Sequence, residues 1–201
     1  AVPPRLYGGT ERVVSWLSDA LVDLGEDVTV YASGDSRTRA RLVPCTPRAL
    51  RLDRDCRDFF APHVLQMERV VEDSPLYDLI HFHTDLLQFP ILRRIPVPTV
   101  STLHGRLDLP ELRPVFEEFS EANYVSISDA QRTPVPEIHW RATVHHGLPA
   151  DSIGFRPRSK GYLAFLGRIS PEKRVDRAIE IARRSGKKLR IAAKIDPADR
   201  E

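Results

Sequence analysis

Three basic residues surround a predicted helix start in residues 167–174 (GRISPEKR). Ser170 is a good capping residue and Pro171 suits the first helical position, so Lys173 would fall in the first turn. The helix macrodipole favours anions there, not cations. A phosphate group in front of the helix would compensate the repulsion between Lys173 and the positive helix end. Free N–H groups and positive potential coincide there, and Arg168 could reach the same anion. The alternative is a solvated helix end whose cations are screened by the neighbouring glutamate.

A pair of glycines, Gly8 and Gly9, directly precedes another predicted helix. Glycines let the backbone approach a ligand closely, and glycine-rich turns at helix starts are typical of phosphate-binding folds. The segment is neither a complete GxGxxG motif nor a Walker A motif. An ordinary turn is therefore the competing interpretation.

His104 ends a predicted strand and precedes Gly105. An imidazole at that place could bind a sugar hydroxyl or exchange a proton near neutral pH, although a structural histidine would have the same pattern. His81 and His83 lie two residues apart on one predicted strand, so they share a face. They would need a third ligand to hold a metal ion, and none is evident nearby. We therefore predict no metal site.

Alternating strands and helices must position these residues, which predicts an α/β fold with parallel, Rossmann-like sheets and flanking helices. Residues 40–57 have only a weak pattern. The predicted helices span 10–25, 58–73, 85–95 (a short helix broken by Pro90), 109–122 and 172–186, and the predicted strands span 27–33, 77–84, 98–105, 123–129, 141–147, 162–168 and 188–195. Functional residues of such sheets collect at the carboxyl ends of strands. Three polar clusters fall there, at 81–84, 102–105 and 126–129.

The α/β pattern lapses at residues 148–160 (LPADSIGFRPRSK), and a new β-α-β pattern follows. We predict an N-terminal Rossmann-like domain over 1–150 with its first strand missing, a linker over 151–160, and the start of a second, incomplete Rossmann-like domain over 161–201. We expect the chain to be a piece of a longer one, because it starts in a Pro/Gly loop and stops within a pattern.

Composition limits the classes of function. The 201 residues are 41% hydrophobic and 29% charged with a net charge of +2, as in ordinary globular proteins. The charges are mixed, so we expect no nucleic-acid partner. No stretch approaches the ~18 apolar residues of a membrane span. Cys45 and Cys56 have no metal-binding spacing, and we expect a reduced protein in the cytoplasm.

Six segments, taken in order, resemble the retaining glycosyltransferases of family 4, which have the GT-B architecture of two Rossmann-like domains facing a cleft. The segments are PPRLYGGTERVVSWLSDALVDLGEDVTVYASGDS, YDLIHFHTD, PTVSTLHG, YVSISDAQR, VHHGLP and YLAFLGRISPEKRVDRAIEIAR. The last is the most specific, because its Arg and Lys are five positions apart at the opening of the second domain.

The resemblance implies transfer of a sugar, with retention of anomeric configuration, from a nucleotide-diphosphate-sugar to a sugar, lipid or small-molecule acceptor. Arg168 and Lys173 would bind the donor diphosphate and stabilise the leaving nucleotide. Gly8 and Gly9 would let the N-terminal loop reach the phosphates, and His104 would contact the transferred sugar near the reacting carbon. No cofactor and no metal ion is implied. The acceptor-side and cleft candidates are Tyr7, Thr10, Glu11, His83, Thr84, Asp129, His146 and Gly147.

The sequence departs from the family in two ways. His146-Gly147 stands where many relatives have Asn-Gly, which could change interdomain or donor contacts. The family's glutamate-bearing segment and base pocket would lie beyond Glu201, so we expect this chain alone to be inactive and its parent protein to be the enzyme. The alternatives are a sugar-nucleotide epimerase or hydrolase of the same architecture, and a non-catalytic nucleotide- or phosphate-binding module. A location at the inner face of the membrane, through peripheral contact, also stays open.

Overall fold

The computed structural model describes residues 1–170 and 173–195, and for residues 194 and 195 only the backbone. The chain divides into two compact units, residues 1–149 and the residues from 150 onward. Within the described residues every strand pair is parallel, and within each unit a helix connects successive strands, except between the first two strands of the chain. The predicted α/β class is confirmed. The predicted domain limits stay predictions.

The secondary-structure elements follow in chain order. The helices are α1 (Gly9–Asp23), α2 (Phe60–Asp73), α3 (Phe89–Leu92), α4 (Arg113–Glu118), α5 (Asp129–Arg132) and α6 (Val175–Ser185). The strands are β1 (Thr29–Ser33), β2 (Arg41–Thr46), β3 (Ile80–Phe82), β4 (Thr99–Thr102), β5 (Tyr124–Ser126), β6 (Trp140–Thr143), β7 (Leu163–Ile169) and β8 (Leu189–Ile195). Short 3-10 helices occupy Leu50–Leu52, Ser74–Leu76 and Pro110–Leu112.

The larger sheet of the first unit contains β3, β4, β5 and β6 in that order. Ser101 of β4 lies opposite Tyr124 of β5, which lies opposite Trp140 of β6. Because the strands are parallel, their carboxyl ends and the loops that follow share one edge of the sheet. The three polar clusters predicted from the sequence lie at this edge.

An aromatic core supports this sheet from one side. Tyr124 is fully buried, and its ring meets those of Phe89 and Phe116 edge-on at centroid distances of 5.8 and 5.9 Å. Its hydroxyl donates to the carbonyl oxygen of Phe119 over 2.6 Å, so the polar atom of this buried side chain is paired. A second cluster joins Met67 of α2 to Phe82 of β3. These contacts hold the strand ends in place.

Strand β2 lies in the segment for which the sequence indicated no clear element. It pairs with β1 in a separate two-stranded sheet. Pro44 lies within β2, opposite Ala32, and the register shifts directly after Ala32. A proline lacks an N–H donor and is tolerated only where a strand edge needs none. Proline and the surrounding arginines hide the alternation that would have indicated a strand.

Two predicted helices differ from the observed ones because of prolines. Pro90 does not break a helix but lies in the first turn of α3, where its missing N–H group has no helical acceptor. The helix predicted over 109–122 is a 3-10 turn followed by the short α4, whose first turn contains Pro114. The short α5 was not predicted.

Helix α6 of the second unit begins at Val175, three residues later than predicted. Arg174 occupies the capping position in a left-handed conformation, with φ 54° and ψ 48°. Its guanidinium donates to both carboxylate oxygens of Asp176, over 3.0 and 2.7 Å. Asp176 therefore supplies the first-turn negative charge that the macrodipole favours. At the other end, Gly186 is left-handed and Arg183 complements the negative pole.

The cysteines are both free, half-buried thiols. Burial raises the pKa of the Cys45 thiol, which keeps it protonated near neutral pH. Across residues 1–170 and 173–195, no helix combines the length and apolar character needed to cross a bilayer.

Candidate functional site

Four histidine rings lie in contact at the carboxyl edge of the larger sheet. This imidazole row consists of His81 on β3, His83 after β3, His104 after β4 and His146 after β6. The centroids of successive rings are 4.1, 5.2 and 5.2 Å apart. The predicted shared face of His81 and His83 is confirmed. The parallel pairing of the strands brings the other two rings to them.

Hydrogen bonds tie the imidazole row to the sheet. His83 Nδ1 and His104 Nε2 are 2.9 Å apart and share one hydrogen bond. His81 Nε2 lies 2.7 Å from Thr102 Oγ1. Thr102 is the buried last residue of β4, so it anchors one end of the row.

The imidazole row is neutral at pH 7. Burial, followed by repulsion from the other three rings, lowers the pKa of His83 from 6.5 to about 2. Burial and then His146 lower the pKa of His104, while the charge of Asp85 acts in the opposite direction. The pKa of His81 moves down as well, but its ring is exposed, so solvent weakens the effect. The row therefore offers hydrogen-bonding imidazoles rather than cations.

The loop after β3 holds His104 through its backbone. Asp85 adopts a left-handed conformation (φ 54°) and accepts the backbone N–H of His104 over 3.3 Å. Gln88 is fully buried, donates to the Asp85 carbonyl over 2.8 Å and accepts from Thr84 Oγ1 over 2.7 Å. Aspartate tolerates this left-handed conformation better than most residues. The buried glutamine keeps the loop in it.

Gln131 of α5 joins the loops after β4 and β5. Its side-chain nitrogen donates to the carbonyls of Leu103 and Gly105, over 3.0 and 2.8 Å, and its oxygen accepts the Ile127 N–H over 2.9 Å. The backbone on both sides of His104 is thereby fixed.

Asp129 and Gly147 follow β5 and β6 at the same edge. Asp129 accepts from Thr143 Oγ1 over 2.8 Å, and within the described residues no hydrogen bond or ion pair connects it to the imidazole row. Gly147 is exposed, and an added Cβ would meet nothing within 4 Å. Neither residue is therefore joined to His104 in the way that His83 and His146 are.

The rings of His104 and His146 stack with an interplanar angle of 18°, whereas those of His81 and His83 are tilted by 35°. In the described part of the chain, no group of three or more His, Cys, Asp or Glu side chains is placed to hold a metal ion.

The glycine pair lies where α1 begins. Gly8 is buried and takes the capping position, while Gly9 is exposed and is the first helical residue. Glu11 lies in the first turn and forms an ion pair with Arg51. A carboxylate thus already compensates part of the positive potential at this helix end. Tyr7 is exposed and Thr10 is half-buried beside them.

Gly8→Ala is expected to lower the free energy of unfolding of the first unit by about 1–3 kcal/mol. A Cβ on Gly8 would lie 2.8 Å from Pro4 Cβ and 2.9 Å from Pro4 Cγ, so the loop would have to move. Gly9→Ala is the matched control, because a Cβ there meets nothing within 4 Å. Urea unfolding followed through Trp16 and Trp140, which both belong to the first unit, measures the difference. Equal midpoints for the two variants would contradict the steric argument.

Arg168 and Lys173 belong to the second unit. Arg168 is half-buried and is the penultimate residue of β7. Lys173 is exposed, and its backbone N–H donates to the Ser170 carbonyl over 3.1 Å. The prediction that Ser170 caps the helix and that Lys173 lies in its first turn is wrong, because α6 begins two residues after Lys173 and Ser170 Oγ is buried with no hydrogen-bond partner in the described residues. Pro171 and Glu172 lie outside the described residues.

Sequence reasoning missed Asp85 and Gln131, which position the backbone of His104. Asp85 could have been found as the first charged residue after His83, at the predicted functional edge. Gln131 had no such signal, because its role depends on α5 folding back over the end of β4.

Residues 7–153, nearly three quarters of the chain, match the family model described as Glycosyltransferase Family 4. A comparison with curated proteins gave no match. The matched region includes Gly8, Gly9 and the whole imidazole row, and its helix-flanked parallel sheets are consistent with a Rossmann-like GT-B domain. The chain therefore belongs to Glycosyltransferase Family 4.

Proposed function

We propose that the full-length protein transfers a sugar from a nucleotide-diphosphate-sugar to an acceptor with retention of anomeric configuration. Family membership supports glycosyl transfer. The observation that carries the proposal is the neutral, backbone-anchored imidazole of His104 at the carboxyl edge of a parallel sheet, where such folds bind ligands.

The roles of the side chains follow from their chemistry. Lys173 and Arg168 would bind the donor diphosphate and stabilise the charge that develops on it. Gly8 and Gly9 would allow the N-terminal loop to approach the phosphates. His104 would hydrogen-bond the transferred sugar, and as a neutral ring it adds no charge that would repel the positively charged sugar of the transition state.

The reaction balances without another reagent. The bond between the anomeric carbon and the donor phosphate breaks, and a bond from that carbon to the acceptor oxygen forms on the same face. The acceptor proton passes to the leaving phosphate oxygen. Positioning of donor and acceptor then supplies much of the rate.

A donor screen tests the proposal. The full-length protein is incubated with uridine, guanosine and adenosine diphosphate sugars, with and without candidate acceptors. We expect one donor to release nucleoside diphosphate in an acceptor-dependent way, and proton NMR of the anomeric signal to show retention. That donor should also raise the melting temperature, since a ligand at 100 times its Kd adds ~2.7 kcal/mol.

Three outcomes would contradict the proposal. Acceptor-independent formation of an epimeric or free sugar would indicate an epimerase or hydrolase. Thermal stabilisation by a donor without nucleotide release would indicate a binding module. An inverted anomeric centre would leave glycosyl transfer standing but would overturn retention.

A further inference from the structure

Within the described residues, His83 is the hydrogen-bond partner of the His104 ring. Asp85 and Gln131 bond the backbone around His104. His83 Nδ1 and His104 Nε2 are 2.9 Å apart and share one hydrogen bond. In the described residues, His104 Nδ1 has no hydrogen-bond partner, so it is the ring nitrogen available to a ligand.

An imidazole without such a partner would be poorly defined. A neutral histidine has two tautomers, and its ring can turn about the bond to Cβ. Either change exchanges a donor for an acceptor or a nitrogen for a carbon at the position facing a ligand. A hydrogen bond at Nε2 sets the ring orientation, and because the N–H···N pair holds a single proton, the tautomers of His104 and His83 can change only together.

His83 is well placed to be that fixed partner. Its ring lies between those of His81 and His104, at centroid distances of 4.1 and 5.2 Å. His81 is in turn bonded to Thr102, which is only 7% exposed and belongs to β4. Burial and the neighbouring rings also keep the pKa of His83 far below neutrality, so its Nδ1 stays in a neutral ring.

We propose that His83 is a positioning residue that fixes the orientation of His104 and couples the tautomers of the two rings, so that His104 meets its ligand through Nδ1. The functional consequence rests on the proposed glycosyl transfer. The hydrogen-bond arrangement itself does not.

NMR on the 15N-labelled chain at pH 7 tests the arrangement. We expect a single tautomer of His104 and a scalar coupling across the hydrogen bond between His83 Nδ1 and His104 Nε2. His83→Phe should abolish the coupling and leave His104 in a mixture of tautomers. His83→Asn should keep the ring of His104 in one orientation, because its amide can donate or accept near the position of Nδ1. His145→Phe, at an exposed histidine outside the imidazole row, should change neither signal.

Mixed tautomers of His104 and no coupling in the wild-type chain would overturn the proposal, whatever the variants do.

Turnover of the full-length protein is a separate measurement of the functional consequence. His83→Phe is expected to lower kcat about tenfold with little change in the donor KM, because a wrongly oriented His104 ring misaligns the reacting groups more than it weakens donor binding. His83→Asn should recover part of the lost kcat. If His104→Ala leaves turnover unchanged, the proposed role of His104 in transfer fails while the NMR result stands.

Discussion

Replacing Lys173 with alanine is expected to lower donor-dependent turnover of the full-length protein about 10²-fold or more. A preorganised cation acts on the charge that develops on the leaving diphosphate, so its loss raises the barrier of the chemical step. The structure sharpens the choice of residue. Arg174 is bonded to both oxygens of Asp176, whereas Lys173 is exposed and has no ion pair within the described residues.

Steady-state kcat and KM for the donor measure the effect. Lys187→Ala is the matched control, because Lys187 is equally exposed but follows the other end of α6, and its rate should stay near that of the wild type. Arg168→Ala should lose a comparable factor, and the double variant should lose less than the product of both if they bind one diphosphate. Wild-type turnover in Lys173→Ala would contradict the phosphate role.

Between pH 7 and pH 5 the first unit is expected to lose about 2 kcal/mol of unfolding free energy through His83 alone. The folded-state pKa of His83 is lowered from 6.5 to about 2. In this interval the unfolded chain therefore binds a proton that the folded chain does not. Stability rises with pH by about 1.4 kcal/mol per unit for each such group, and it falls as the pH drops. Carboxylates contribute mainly at lower pH.

Urea unfolding at pH 7, 6 and 5, followed through Trp16 and Trp140, isolates the first unit, because both tryptophans belong to it. His83→Phe should lower the number of protons taken up on unfolding by about one, and the slope of stability against pH should fall accordingly. His145→Phe, an exposed neighbour outside the imidazole row, should retain the full slope.

Calorimetry of the wild-type chain tests the same prediction without any substitution. Unfolding of the wild-type chain at pH 5.5 should take up protons from the buffer, which calorimetry detects as an unfolding enthalpy that depends on the ionisation heat of the buffer. No proton uptake and a flat stability between pH 7 and pH 5 would show that the imidazole row is not neutral in the way the structure indicates.

Part of the site could be predicted from local pattern. The period of two places His81 and His83 on one face, and the rule for parallel sheets places His104 at the carboxyl edge. Both depend only on the order of residues along one strand. His146 was a weaker candidate, because nothing in its own segment indicates that its ring would stack on His104.

The helix start near Lys173 shows where local pattern fails. Capping residues near 170 predicted the helix to begin there, yet it begins at Val175. The ion pair of Arg174 with Asp176 forms at the observed helix start, and the buried Ser170 Oγ has no hydrogen-bond partner in the described residues, so it does not act as a cap. Propensity is a small preference that burial and specific side-chain bonds readily override.

The sequence by itself determined the α/β class, the parallel strands, the edge at which polar residues collect and the family resemblance, because hydrophobic period and motif order are properties of the chain. Only the tertiary structure decided that four histidines from strand β3 and the ends of three strands meet, that His83 bonds His104, and that Asp85 and Gln131 hold its backbone. Those contacts depend on strand order, register and loop conformation, to which residues far apart in the chain contribute together. The same packing partly removes water from the rings of His83 and His104, and this desolvation is the main cause of their lowered pKa values.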